Sequence, residues 1–151
     1  ATLVVAADQG EEETLAIGAA RLLTYVHMAG YGELLCKVNG WDPTVLTDVR
    51  NHRLFEGGKS ADQDFTRYET AEVTSLFPKH WMVDSAALGS AEYCADRIND
   101  QFDAGADGVL FHGSLPRQVE GLLCAYRAVR RADYFECNDP WFSPSPPGTG
   151  M

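Results

Sequence analysis

The sequence predicts an α/β protein built on parallel strands, and three observations carry that prediction. Apolar runs stand at Thr2–Ala6 and Val109–Phe111, with a less apolar run at Ser85–Leu88. Each run is followed by residues of helical period. Strands that alternate with helices are joined by right-handed crossovers, and crossovers of that kind link parallel neighbours.

The elements follow in order. Thr2 to Ala6 is apolar without alternation, as expected of a strand covered on both faces. After Asp8-Gln9-Gly10, the acidic run Glu11-Glu12-Glu13 suits a first helical turn, where the helix dipole favours negative charge. Leu15, Ala19, Leu22, Leu23 and Val26 then form one apolar stripe, which Gly30 ends. Residues 31 to 82 read as an insertion of helices and loops. Within it, Asp42-Pro43 looks like a helix start, EGGKSADQD (56–64) like a loop, and a helix beginning near Ser60 or Asp62 should turn Phe65 and Tyr68 inward and end before Pro78. Ser90 is placed to cap the next helix, with Glu92 in its first turn, Cys94, Ile98 and Phe102 on one face, and Ala104-Gly105 at its end. Ser114 is expected to cap the last helix, with Pro116 in its first turn. Val119, Leu122, Leu123, Tyr126 and Val129 would form its apolar face, and Arg127, Arg130 and Arg131 its basic end. The Pro-, Gly- and Ser-rich tail, 133–151, is expected to be disordered.

Three strands leave a parallel sheet with two open edges, so further strands from elsewhere are expected to complete it. The chain opens on ATLVVAADQG without an initiator Met, in what reads as strand interior. That fits either a processed start or a piece of a longer protein.

Composition narrows the function. A net charge of −10 over 151 residues disfavours nucleic acid and anionic membranes as partners and leaves a small molecule. No apolar run spans a bilayer and no signal-peptide pattern is present, so the expected location is the cytoplasm. Cys36, Cys94, Cys124 and Cys137 lie far apart without metal-ligand spacing, and no metal site is expected. Cys94 and Cys124 fall in helical patterns, where a free thiol usually behaves as a small buried hydrophobe.

LGSAEYCADRINDQFDAGADGVLFHGS, Leu88 to Ser114, resembles the closing segment of the luciferase-like oxidoreductases. In that family an apolar strand, Gly-Ser/Thr, a helix, Ala-Gly-Ala/Val-Asp and a final apolar strand follow one another. YGELLCKVNGWDP (31–43) and FPKHW (77–81) are similar to an F420-dependent subgroup. The resemblance covers residues 1 to about 132. It implies the C-terminal portion of a (β/α)₈ TIM barrel, with the three strands as the sixth, seventh and eighth, adjacent in chain order and with helices on one side. A whole barrel takes about 250 residues, so the rest of the wall would come from other strands. The resemblance also implies F420 or FMN as cofactor, in hydride transfer or monooxygenation of a small organic substrate. A non-catalytic half-barrel completed by a second chain is the alternative.

Ligands of parallel α/β folds sit at the carboxyl ends of strands, which makes the turns there the candidate cofactor contacts: Gly89 and Ser90, then His112, Gly113 and Ser114. His112 could donate to a phosphate or a substrate oxygen, or simply end a strand on backbone bonds. Gly113 and Ser114 offer an anion site at a helix N-terminus, or plain capping, which also explains Ser90. Asn39 and Trp41 could line a substrate pocket, Trp41 as a plate for a planar ring or as a hydrophobic plug. No residue is assigned a catalytic role.

Overall fold

The computed structural model describes residues 1–61 and 63–131, so the expected disordered tail lies outside the described residues. Three strands, β1 (Thr2–Ala7), β2 (Ala86–Gly89) and β3 (Leu110–His112), form one parallel sheet. The helices are α1 (Glu11–His27), α2 (Tyr31–Asn39), α3 (Val45–Arg50), α4 (Arg67–Ala71), α5 (Lys79–Ser85), α6 (Ala91–Asp103) and α7 (Glu120–Val129). The α/β class and the parallel sense of all three strands agree with the sequence.

The order of the strands does not. The sheet runs β2-β1-β3, so β1 is central and β2 and β3 never meet. Adjacency in chain order, the arrangement of consecutive barrel strands, is therefore corrected. β1 is six residues long with its last five buried, whereas β3 has three residues and none buried. The strand that is apolar on both faces takes the centre, where both faces are covered.

Helices on one side is corrected as well. Val4, Ala6 and Ala86 pack with Ile17 of α1. Leu3, Val5, Ala7 and Ala87 pack with Ala91, Cys94, Ala95 and Ile98 of α6 and Leu122 of α7. Alternate residues of a strand point to opposite faces, so α1 covers one face and α6 with α7 the other. Strand order explains this. The step from β1 to β2 and the step from β2 across β1 to β3 run in opposite directions, and two crossovers of the usual hand then place their helices on opposite faces.

The insertion covers the far side of α1. Leu22, Leu23 and Val26 join Cys36, Trp41, Leu46, Val49, Phe55, Val73, Phe77, Trp81 and Met82 in the largest apolar cluster. Because α1 is covered both by the sheet and by the insertion, it is apolar around most of its circumference. The expected helix from Ser60 is later and shorter. It begins at Arg67, where Thr66 and Glu69 form a reciprocal cap, and a 3₁₀ turn over Glu72–Leu76 follows. Phe65 is partly buried, but Tyr68 is exposed. Ser85 ends α5 rather than opening a strand. Cys94 is buried, its thiol pushed up to about 11 mainly by that burial, whereas Cys124 is exposed, contrary to expectation. On the expected apolar face of α7 only Leu122 is buried.

Candidate functional site

The register decides where each candidate residue lies. Gly89 stands opposite Ala7 at the carboxyl end of the sheet, while His112 stands opposite Val4, level with Ala86. At the rise of a strand, three residues separate these levels by roughly 10 Å, and the two turns flank β1 on opposite sides. His112 is the last residue of β3, not a residue of the following turn. The structure does not gather the five cofactor candidates into one pocket.

At the β2 end, the helix cap accounts for the polar groups. Ser90 Oγ accepts from Tyr93 N at 3.2 Å, and Asp8 Oδ1 accepts from Ala91 N at 3.1 Å. Asp8 has φ +53°, a conformation that side chains other than glycine rarely adopt, and its own N–H donates to Gly89 O at 2.8 Å. The chain thus sets its own carboxylate on the N-terminus of α6, beside the candidate cofactor contacts Gly89 and Ser90.

At the β3 end, Ser114 caps no helix. Its hydroxyl donates to Val5 O, and Leu115 precedes a short 3₁₀ turn, Pro116–Gln118, ahead of α7. Gly113 has φ +90°, and its carbonyl accepts from Arg67 Nη1 at 3.2 Å. Gln118 donates to Gln9 Oε1 at 3.0 Å and to Glu13 Oε1 at 2.8 Å. Glu13 also accepts from Arg67 at 2.6 Å and from the Tyr68 hydroxyl at 2.7 Å. Its carboxyl is held below the usual range, first by the Tyr68 hydrogen bond and then by Gln118. This network ties α1, α4 and the turn before α7 together across the carboxyl end of β1.

His112 is different. Its side chain lies on the face covered by α1, in a cleft of about 210 Å³ lined by Ile17, Ala20, Arg21, Thr24, Phe65 and Arg67 among others. Nδ1 is buried and has no hydrogen-bond partner among the described residues. Burial and then the nearby Arg21 charge lower its pKa.

Asn39 and Trp41 fall elsewhere. Asn39 is exposed at the end of α2, and its side-chain amide donates to Leu35 O at 2.9 Å. Trp41 is buried and stacks on Trp81 at 4.6 Å with an 8° interplanar angle, while its indole donates to Asp84 at 3.3 Å. Its edge reaches a second cleft of about 310 Å³ near the amino ends of the strands, beside Thr2, Ser85 and Ala86. Arg21 borders both clefts. Arg21, Arg67, Glu13 and Asp8 are the polar residues that the sequence reading missed. One signal was available for Arg21: with Ile17 and Tyr25 it shares an i, i+4 row facing the sheet, an unusual place for a charge.

Two half-buried imidazoles give the fold a pH dependence. His27 is lowered by burial and then by Arg50, as His112 is by burial and Arg21. The native state then binds fewer protons than the unfolded chain just below 6.5, the ordinary histidine value. This stabilisation is fully present above 6.5 and is lost as pH falls toward the lowered native values. Melting temperatures between about pH 8 and 5 should fall with acidity, less so in His27→Gln/His112→Gln. A wild-type profile that is flat over that range contradicts the assignment.

Among the described residues no group of three or more His, Cys, Asp or Glu is placed to hold a metal ion, and no helix is long and apolar enough to cross a membrane. Comparison of the chain with family models, with curated proteins and with solved structures finds no match.

Proposed function

We propose that this chain is the C-terminal part of a flavin- or F420-dependent oxidoreductase of the luciferase-like type, acting on a small organic substrate. The observation that carries the reading is the Leu88–Ser114 segment, which resembles the family's strand, Gly-Ser, helix, Ala-Gly-Ala-Asp and strand pattern. Three parallel strands with intervening helices are compatible with it. The bound cofactor would supply hydride transfer or oxygen activation. Of the five candidate contacts, His112 alone keeps an unused buried polar atom, whereas Ser90 and Ser114 spend their hydroxyls on the fold. A cofactor cradle is thus not formed by these residues alone, and the reading requires further strands to supply the rest of the wall.

A second reading, a non-catalytic half-barrel module completed by another chain, needs no cofactor cradle, in keeping with Ser90 and Ser114 spending their hydroxyls on the fold. The β2-β1-β3 order and the helices on both faces count against consecutive barrel strands in either reading. The experiment that separates the two begins with the coding sequence upstream of Ala1. If barrel strands continue there in frame, FMN and F420 are titrated into the extended polypeptide. One cofactor bound per chain at micromolar strength supports the oxidoreductase. A start codon directly before Ala1, or an extended polypeptide that binds neither cofactor, supports the module.

A further inference from the structure

We propose that the cleft between α1 and β3 binds a small organic carboxylate, its charged end held between Arg21 and His112 and its apolar body lying on Ile17, Ala20 and Phe65. The inference does not rest on the cofactor reading. It starts from an uncompensated cation. Arg21 makes no ion pair among the described residues: Nη2 donates to the Tyr25 hydroxyl, the guanidinium lies 4.5 Å from the Tyr25 ring centroid, and Nε is buried without a partner. A guanidinium carries five N–H donors, and a phenol neutralises none of its charge.

Arg67, also in the lining, is the contrast. It pairs with Glu13 at 2.6 Å and donates to Gly113 O, so its charge is already compensated. Among the described lining residues none is acidic, although the chain as a whole carries a net charge of −10. A local cationic cleft in an acidic protein attracts an anion and concentrates it there. Two of the residues that line the cleft, Arg21 and His112, each carry a buried nitrogen without a partner among the described residues, Nε and Nδ1, and buried polar atoms left unpaired are uncommon in folded proteins.

The shape selects the anion. At about 210 Å³ the cleft is smaller than typical drug-sized pockets, and Ile17, Ala20, Ala61 and Phe65 make most of its wall apolar. A carboxylate presents one charge to a guanidinium fork and leaves the remainder of its molecule free to lie on apolar walls. A phosphate dianion would turn some of its remaining oxygens toward the apolar part of that lining, which offers them no donors.

The test follows the side-chain nitrogen resonances of His112 and Arg21 in the 151-residue chain during titration with cyclohexanecarboxylate, cyclohexylmethanol and inorganic phosphate. The expected result is a saturable shift of both residues with the carboxylate, binding at least tenfold tighter than the alcohol or phosphate. Arg21→Gln should weaken the carboxylate by about tenfold or more, the scale of a lost charged hydrogen bond. If that variant does not fold, the three-ligand comparison on the wild-type chain decides alone. Equal binding of the alcohol, tighter binding of phosphate, silent His112 and Arg21 resonances, or unchanged affinity in a folded Arg21→Gln variant would each overturn the proposal.

Discussion

Replacing Trp81 by alanine is expected to cost about 3–5 kcal/mol of unfolding free energy, the usual range for deleting a fully buried large aromatic. Trp81 has no solvent exposure and stands between Trp41, at 4.6 Å and 8°, and Phe77, at 6.1 Å and 6°. These three rings join α5, the segment after α2 and the end of the Glu72–Leu76 3₁₀ turn into the cluster that backs α1. Truncation would leave a cavity that two flat rings cannot refill without breaking the indole bond from Trp41 to Asp84. Equilibrium denaturation of wild type and variant measures the effect. A loss below about 1 kcal/mol would show that the insertion contributes little to the fold.

Gly113→Ala should be nearly as damaging, for two separate reasons. At φ +90° a side chain is strained, which costs about 1–3 kcal/mol. The new Cβ would also stand 2.8 Å from Ile17 Cγ2. Ile17 is fully buried and β-branched, so it has little rotamer freedom with which to retreat, and overpacking adds about another 1–3 kcal/mol. Ile17 also lines the His112 cleft, so any yielding there should alter the His112 ring resonances as well. Unchanged stability together with unchanged His112 resonances would contradict the close contact of β3 and α1.

The parts of this fold legible in the sequence are those set by local pattern. Thr2–Ala6 declares a buried strand by its unbroken apolar run, and Ser90 declares a cap by its place before Glu92 and the Cys94–Ile98 stripe. Strand order was not legible, because it depends on which strand best tolerates the centre. The length and two-sided burial of β1 decide that against β2 and β3. The five-residue helix at Arg67 was hidden as well, since Thr66 and Glu69 form the cap only once the preceding loop is placed.

The candidate site was legible as a list of residues but not as an arrangement. His112 could be named from its position after Leu110 and Phe111, yet the cleft it lines is made with Arg21, 91 positions earlier, and with Phe65 and Arg67 from the insertion. Gly89 and Ser90 could be named too. That Asp8 would take the N-terminus of α6 follows only from the parallel pairing of β1 with β2.

The central claim is that these three strands form part of a binding unit and not the whole of one. Among the described residues the outer edges of β2 and β3 have no strand partner, and exposed edges recruit other chains. Sedimentation velocity of the 151-residue chain over a range of concentrations, with FMN and F420 titrated into the same samples, tests this directly. The account predicts concentration-dependent association and cofactor affinities of roughly millimolar at best, since a partial wall offers few contacts to offset the ligand's lost freedom. A monodisperse monomer that binds either cofactor at micromolar strength would contradict it.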